Sequence, residues 1–371
     1  MLKTLQVSEA HEWSGGTAQL LALSAGLRAK GWDVKVACRP GSGLEKYARD
    51  RGFQTFAVGM REDYDLISAW QLARFIQANS IDVVHAHHNR SHSVCLLAKL
   101  ILRLLGSKAP ALLVSRRVSF PPGRNPFSRW KYRSRLIDRI VAVAEAVKDV
   151  LTASGVPAAQ VCVIRSGVDT ERFAPRAATP EFKRSLGLPE GRTIVGKIAN
   201  ASPWKGQNVL LEAAAILVRK NRKVHFLFAG RDTDGAWLKG EVARLGLAEH
   251  VTLLGFRTDV PEILSCLDVS VNAAVRGEGL SGALRESLAM SVPVVASDVA
   301  GNRELLGEAG QDFMFPPGDA AALAARLEWA LDHAEPARNA ARTWRDQTLS
   351  QFSLDNTVAE TDALYRSLLG R

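Results

Sequence analysis

The stretch Val269-Ser-Val-Asn-Ala-Ala-Val-Arg-Gly-Glu278-Gly-Leu-Ser-Gly-Ala-Leu-Arg-Glu286-Ser-Leu-Ala-Met-Ser-Val-Pro293-Val-Val-Ala-Ser297 reads as strand, glycine-rich loop, helix and strand. Residues 269–273 and 293–297 are short β-rich runs, and Gly279, Ser281 and Gly282 between them mark a tight entry into a helix. Strand, crossover helix and strand make a βαβ unit, the building block of a parallel sheet with right-handed connections. A helix start carries unpaired N–H groups and about half a positive charge, so it holds an anion without any side chain. Glu278 falls in the loop before the helix and Glu286 one to two turns inside it, so the two carboxylates approach different parts of any ligand. Carboxylates accept hydrogen bonds from hydroxyls, which suits a molecule with hydroxyls on both sides of a diphosphate, as in a nucleotide sugar. Taken alone, the spacing fits two solvated helix-end glutamates equally well.

Working outward, the same alternation continues in both directions. Upstream the strand-like runs are residues 193–199, 224–230 and 251–254. The first half repeats the scheme at residues 2–8, 33–39, 53–59, 82–87, 111–117, 140–144 and 161–166, with helical spacing between them. A chain of 371 residues exceeds one comfortable core, because single cores stop growing near roughly 250–300 residues. We therefore expect two doubly wound, Rossmann-like α/β domains, 1–165 and 166–350. A C-terminal helix over 351–371, with Val358, Leu364, Tyr365 and Leu368 on its apolar side, is expected to pack back on the first domain. Ligands of such sheets bind outside the carboxyl ends of the strands, so two domains facing each other would enclose a cleft lined by loops.

With 47% apolar and 23% charged residues the chain can fill two cores, which argues against disorder. The N-terminal run Met1-Leu-Lys-Thr-Leu-Gln-Val-Ser reads as a first strand instead of an export signal. The longest apolar stretch, about 94–114, is broken by Lys99, Arg103 and Lys108, so no segment is expected to cross a membrane. Cys38, Cys95, Cys162 and Cys266 lie far apart, without the density of a disulfide scaffold, which points to the cytoplasm. A formal charge of +10 favours anionic partners: nucleotides, phosphorylated lipids or membrane surfaces.

Further loops after strands carry polar chemistry. Asn200-Ala-Ser-Pro-Trp-Lys205-Gly206 leads into a helix near Gln207, and a lysine is unfavourable at a helix N-terminus unless an anion joins it. Ser14-Gly15-Gly16-Thr17 opens another helix but lacks the G-x-G-x-x-G dinucleotide fingerprint, which disfavours a dehydrogenase. His85-Ala-His87-His88-Asn89 ends a strand, where an imidazole can hydrogen-bond a sugar hydroxyl or act near the reacting centre. Asp232-Thr-Asp234 suits a helix cap better than a cation site, and no cluster of metal ligands is expected.

Together these stretches resemble the family 4 retaining glycosyltransferases, which have the two-domain GT-B fold. The likeness covers nearly the whole chain: Gly15-Gly16, Asp82-Val-Val-His-Ala-His87, Val163-Ile-Arg-Ser-Gly-Val-Asp-Thr-Glu-Arg-Phe173, Trp204-Lys-Gly206, the run from Glu278 to Glu286, Gly301-Asn-Arg-Glu304 and Phe315-Pro-Pro-Gly-Asp319. The resemblance implies that Glu286 binds the donor ribose, that Glu278 approaches hydroxyls of the transferred sugar, and that the backbone of Gly279, Leu280 and Ser281 holds the diphosphate. It further implies that Lys205 binds phosphate, that His87 lies beside the donor sugar, that Gly15 and Gly16 lie near the diphosphate and acceptor, and that the base lies near Arg231 and Phe256. On this basis His87, Lys205 and Glu278 are the catalytic candidates. Many relatives carry an arginine five residues before the lysine, where this chain has Asn200, so one cation is missing from the expected donor site.

The implied reaction transfers a sugar, with retention, from a nucleoside-diphosphate sugar (a UDP-sugar favoured) to a hydroxyl of a glycan or lipid-linked acceptor. Lipopolysaccharide or other cell-surface polysaccharide synthesis is the expected setting, with neither metal nor cofactor required. Arg116, Arg117, Arg124, Arg129, Trp130 and Lys131 form a basic, aromatic-flanked segment expected to meet the acceptor or an anionic membrane at the cytoplasmic face. Nucleic acid is not expected as a partner, because no nucleic-acid motif accompanies the charge. A sugar-nucleotide epimerase and a non-catalytic nucleotide-sugar-binding protein on the same fold are the competing readings.

Overall fold

The computed structural model describes residues 1–123 and 125–370. Arg124 therefore lies outside the described residues. The chain divides into two units, Met1–Gly167 together with the terminal segment from Leu354, and Val168–Ser353.

The first unit is built on strands β1 (Lys3–Ser8), β2 (Asp33–Cys38), β3 (Gln54–Ala57), β4 (Val83–Ala86), β5 (Ala111–Arg116), β6 (Arg139–Ala142) and β7 (Val161–Val163), in the order β3-β2-β1-β4-β5-β6-β7. The second contains β8 (Thr193–Ile198), β9 (Val224–Ala229), β10 (Val251–Leu253), β11 (Val269–Asn272), β12 (Val294–Ser297) and β13 (Met314–Phe315), in the order β10-β9-β8-β11-β12-β13. All the named pairings are parallel. Both sheets are doubly wound, the GT-B pattern of two Rossmann-like domains. Each reverses direction once, at β1/β4 and at β8/β11, and such switch points are where loops part to leave a ligand crevice. Strand β13 has no counterpart in the sequence reading, since two residues carry no periodicity.

Buried parallel strands read as continuous apolar runs because helices cover both faces. The helix Gly15–Ala29 starts on a capping box, in which Ser14 Oγ accepts from Thr17 N–H and Thr17 Oγ1 accepts from Ser14 N–H. It buries Leu20, Leu21, Leu23 and Leu27. The terminal helix Leu354–Leu368 lies against it so closely that a Cβ on Gly26 would come within 2.3 Å of Val358. Trp32 Nε1 donates to Asp362 at 2.7 Å, and Tyr365 is fully buried. In the second unit the helix Ala334–Gln351 anchors the helix Gly282–Ala289. Trp344, itself buried, donates to the Leu306 carbonyl at 3.0 Å, and Arg345 donates to the Ala289 carbonyl at 3.2 Å.

Candidate active site

At the switch point of the second sheet, the loops after β8 and β11 touch. Gly206 has φ +70°, and a Cβ there would stand 1.9 Å from the Ala273 carbonyl oxygen, so only glycine lets the backbones meet. Val275 N–H donates to the Trp204 carbonyl at 2.9 Å, a second tie between the loops. Lys205 Nζ and Glu278 Oε1 form a close ion pair across them. Two residues expected to bind different parts of a ligand are thus bound to each other, and each largely neutralises the other.

The glycine-rich loop is held from three sides. Ser281 caps the helix Gly282–Ala289, accepting from Leu284 N–H at 3.3 Å, and Asn272 at the end of β11 donates to the same hydroxyl at 2.7 Å. From the helix Ala300–Leu306, Gly301 approaches so closely that a Cβ would lie 2.1 Å from the Gly279 oxygen. Glu286 lies on the capped helix, partly buried, and among the described residues nothing hydrogen-bonds its carboxylate. Burial raises its pKa, opposed by the charges of Arg285 and Arg172. A desolvated carboxylate without a donor suits paired hydroxyls.

Asn200 is occupied structurally. Its Oδ1 accepts from Arg231 N–H and its carbonyl from Gln207 Nε2, both at 3.0 Å, which braces the loop after β8 against that after β9. Phe256 follows Gly255 after β10 and is 45% exposed. The Asp232–Asp234 turn does not cap the next helix: Gly235 occupies the N-cap of Ala236–Arg244, with no side-chain cap. Instead the buried Thr233 hydroxyl between the aspartates donates to the Gly230 carbonyl and accepts from Gly255 N–H.

The first sheet's switch point brings Gly15-Gly16 and the histidine run together. His88 Nδ1 meets Ser8 Oγ at 2.8 Å, and its Nε2 would stand 2.9 Å from a Cβ on Gly16. The Glu9 carboxylate accepts from the N–H groups of Arg90 and Ser91, both at 2.9 Å, and so caps the helix Asn89–Leu104. His87 is 1% exposed. Its Nδ1 lies 3.2 Å from Arg117 Nη2 and its Nε2 lies 2.8 Å from Gln6 Oε1. A guanidinium only donates, so Nδ1 is the acceptor and Nε2 carries the proton. Burial, then the neighbouring His85, Arg117 and His88, hold its pKa well below the usual histidine range. His87 is thus a neutral ring with both nitrogens engaged, suited to positioning rather than proton transfer. His85 stacks on it and pairs with Tyr365 Oη at 2.6 Å and Ser115 Oγ at 2.8 Å.

The basic segment needs correction. Lys131 is buried, its ammonium donating to Asn89 Oδ1 at 2.9 Å and pairing with Asp63 at 3.6 Å. Burial pushes its pKa down to about 8, against the pull of Asp63 and Glu9. Arg116 donates to Tyr132 Oη at 2.8 Å, and Arg117 donates to Ser166 Oγ at 3.1 Å. These three cations satisfy polar groups inside the unit and do not form an outward face, because each finds acceptors on neighbouring elements. Arg129 and Trp130 remain exposed. The sequence reading missed other exposed apolar side chains of this unit: Tyr64, edge-on to Phe127 at 5.5 Å, is 68% exposed, and Leu66, Ile67 and Trp70 on the helix Leu66–Asn79 are 62%, 74% and 47% exposed. Apolar residues on two faces of that helix were the signal.

Comparison with known proteins bears on the family and the fold. The family model described as glycosyltransferase family 4 matches residues 13–172, and that described as glycosyl transferases group 1 matches residues 178–347. EpsD of Bacillus subtilis (strain 168), a glycosyltransferase by name, is 28% identical over 355 residues, 91% of this chain and 90% of that one. The lipopolysaccharide core biosynthesis mannosyltransferase LpsB of Rhizobium meliloti (strain 1021) is 26% identical over 365 residues, 96% and 95% of the two chains. The Anabaena protein Alr3699/HepE, solved in complex with UDP and glucose, superposes with a TM-score of 0.86 at 19% identity, covering 99% of this chain and all of that one.

Proposed function

Because the chain belongs to the group 1, family 4 glycosyltransferases, we propose that it transfers a sugar, with retention, from a UDP-sugar to a hydroxyl of a glycan or lipid-linked acceptor in cell-surface polysaccharide assembly. The observation that carries this reading is the meeting of Lys205, the capped Gly279–Ser281 loop and the undonated carboxylate of Glu286 at one switch point. That set matches a diphosphate flanked by hydroxyls. Glu286 takes the ribose, the loop amides and Lys205 take the diphosphate, and Glu278, released from Lys205 when phosphate arrives, turns to the sugar.

The chemical difficulty is the charge that grows on the departing diphosphate as the anomeric bond breaks and the acceptor hydroxyl attacks from the same face. Preorganised donors aimed at developing charge are typically worth about 100- to 1000-fold in rate each. The lysine and the helix-start amides supply that stabilisation, so the reading requires no metal. His87 keeps its ring fixed at the first unit's switch point, held in one tautomer by Gln6 and Arg117.

Acceptor delivery is assigned to the first unit, with anionic membrane at the cytoplasmic face as its surface. Tyr64, Ile67, Trp70 and Trp130 expose aromatic and aliphatic surface in this unit, where Arg74, Arg129 and Arg133 are exposed as well. Aromatic rings favour the bilayer interface and each nearby cation adds about 1 kcal/mol on anionic lipid. Among the described residues no helix is long and apolar enough to cross a membrane.

A panel of uridine, guanosine and adenosine diphosphate sugars tests the reading. Ligand-observed binding is followed by product release with lipid-linked acceptors, in excess chelator. Binding of a uridine donor and acceptor-dependent release of UDP are expected. Donor conversion without acceptor would mean an epimerase, and binding without release a non-catalytic protein.

A further inference from the structure

Strand β8 carries one residue out of keeping with its place. Lys197 pairs in register with Phe228 of β9, between two strands of the sheet's centre, and is 2% exposed. Alternation along the strand puts it on the face of Val195, which packs with Val209, Leu210 and Phe226 of the apolar core. Among the described residues no carboxylate or carbonyl is paired with its ammonium. The charges that act on it are those of Lys205 and Glu278. Glu278 is already engaged by Lys205, so the carboxylate that draws on Lys197 is one that a second lysine holds.

A buried ammonium without a counter-ion is costly, and a methionine or leucine would fill the space without that cost. Burial, with Lys205 adding to it, lowers the Lys197 pKa to about 7 against the pull of Glu278. Such an arrangement is satisfied by a multiply charged anion arriving beside Lys205 and the capped helix start. We propose that Lys197 is a second cation of the donor site, binding the diphosphate together with Lys205 and supplying the charge that Asn200, committed to bracing Arg231, does not.

This assignment rests on the donor-site reading above, and titration calorimetry of the whole protein with UDP, GDP and ADP separates the two. Wild type, Lys197→Met and Lys197→Arg are compared, with uridine, which lacks phosphate, followed by ligand-observed NMR. For the diphosphate that wild type prefers, Lys197→Met is expected to lose about 10- to 100-fold in affinity, in line with removal of a charged hydrogen bond. Uridine binding should be unchanged, Lys197→Arg should retain most of the diphosphate affinity, and unliganded Lys197→Met should melt at a higher temperature than wild type. Wild-type diphosphate affinity in Lys197→Met would overturn the assignment while leaving the donor site intact. Parallel loss of uridine and diphosphate with a lower melting temperature would overturn it too, by making the lysine structural. Failure of wild type to bind any of the three diphosphates would remove the donor-site reading itself.

Discussion

Glu286 and Lys205 illustrate opposite ways of preparing a side chain for a ligand. Lys205 is held by a counter-ion that an arriving phosphate would have to displace, whereas Glu286 is half-buried and, among the described residues, accepts no hydrogen bond. Because burial raises the folded-state pKa of Glu286 above its unfolded value, folding favours the protonated form. Its contribution to stability is most favourable below the unfolded pKa of about 4.5 and is lost as pH rises through the folded value. Glu286→Gln should therefore raise the melting temperature at pH 8, with the gain vanishing near pH 4. Glu286→Ala should raise the KM for donor by about 10- to 100-fold, the scale of losing charged hydrogen bonds to hydroxyls. Thermal melts across pH together with donor titrations check both; an unchanged melting temperature at pH 8 would contradict the burial argument.

Between elements, the proposed donor site depends on backbones that approach closely where β8 and β11 part. Gly206 and Gly187 share φ +70°, but only Gly206 faces another backbone, the Ala273 carbonyl; around Gly187 nothing lies within 4 Å. Alanine in the left-handed region costs roughly 1–2 kcal/mol at either position. Gly206→Ala must in addition push the two loops apart and spread Lys205 from Glu278. It should lose about 10-fold or more in kcat and melt lower than Gly187→Ala, which should keep wild-type kcat. Equal behaviour of the two variants would show that loop contact does not shape the site. The terminal helix has a comparable role in the first unit, where Tyr365 meets His85, the ring on which His87 stacks.

Across the molecule, the exposed aromatic surface of the first unit bears on where the protein works. Wild type should sediment with anionic vesicles at low salt and be released as salt rises. The double variant Ile67→Ser, Trp70→Ser should bind vesicles at least 10-fold more weakly while turning over a water-soluble acceptor normally. Sedimentation unchanged by these substitutions would exclude this surface as the contact. Much of the architecture behind these predictions was legible in the amino-acid order. Twelve strands were expected within one to three residues of their observed ends, because buried β-runs and glycine-marked turns are local signals. The loops after them followed from the rule that ligands sit at carboxyl ends. Local pattern had no means of showing that Arg116, Arg117 and Lys131 turn inward, that Lys205 holds Glu278, that Lys197 is without a partner among the described residues, or that a tyrosine 280 residues away closes on His85. Those facts depend on which groups meet after the sheets are wound, and a charge or hydroxyl carries no periodicity that announces its distant partner.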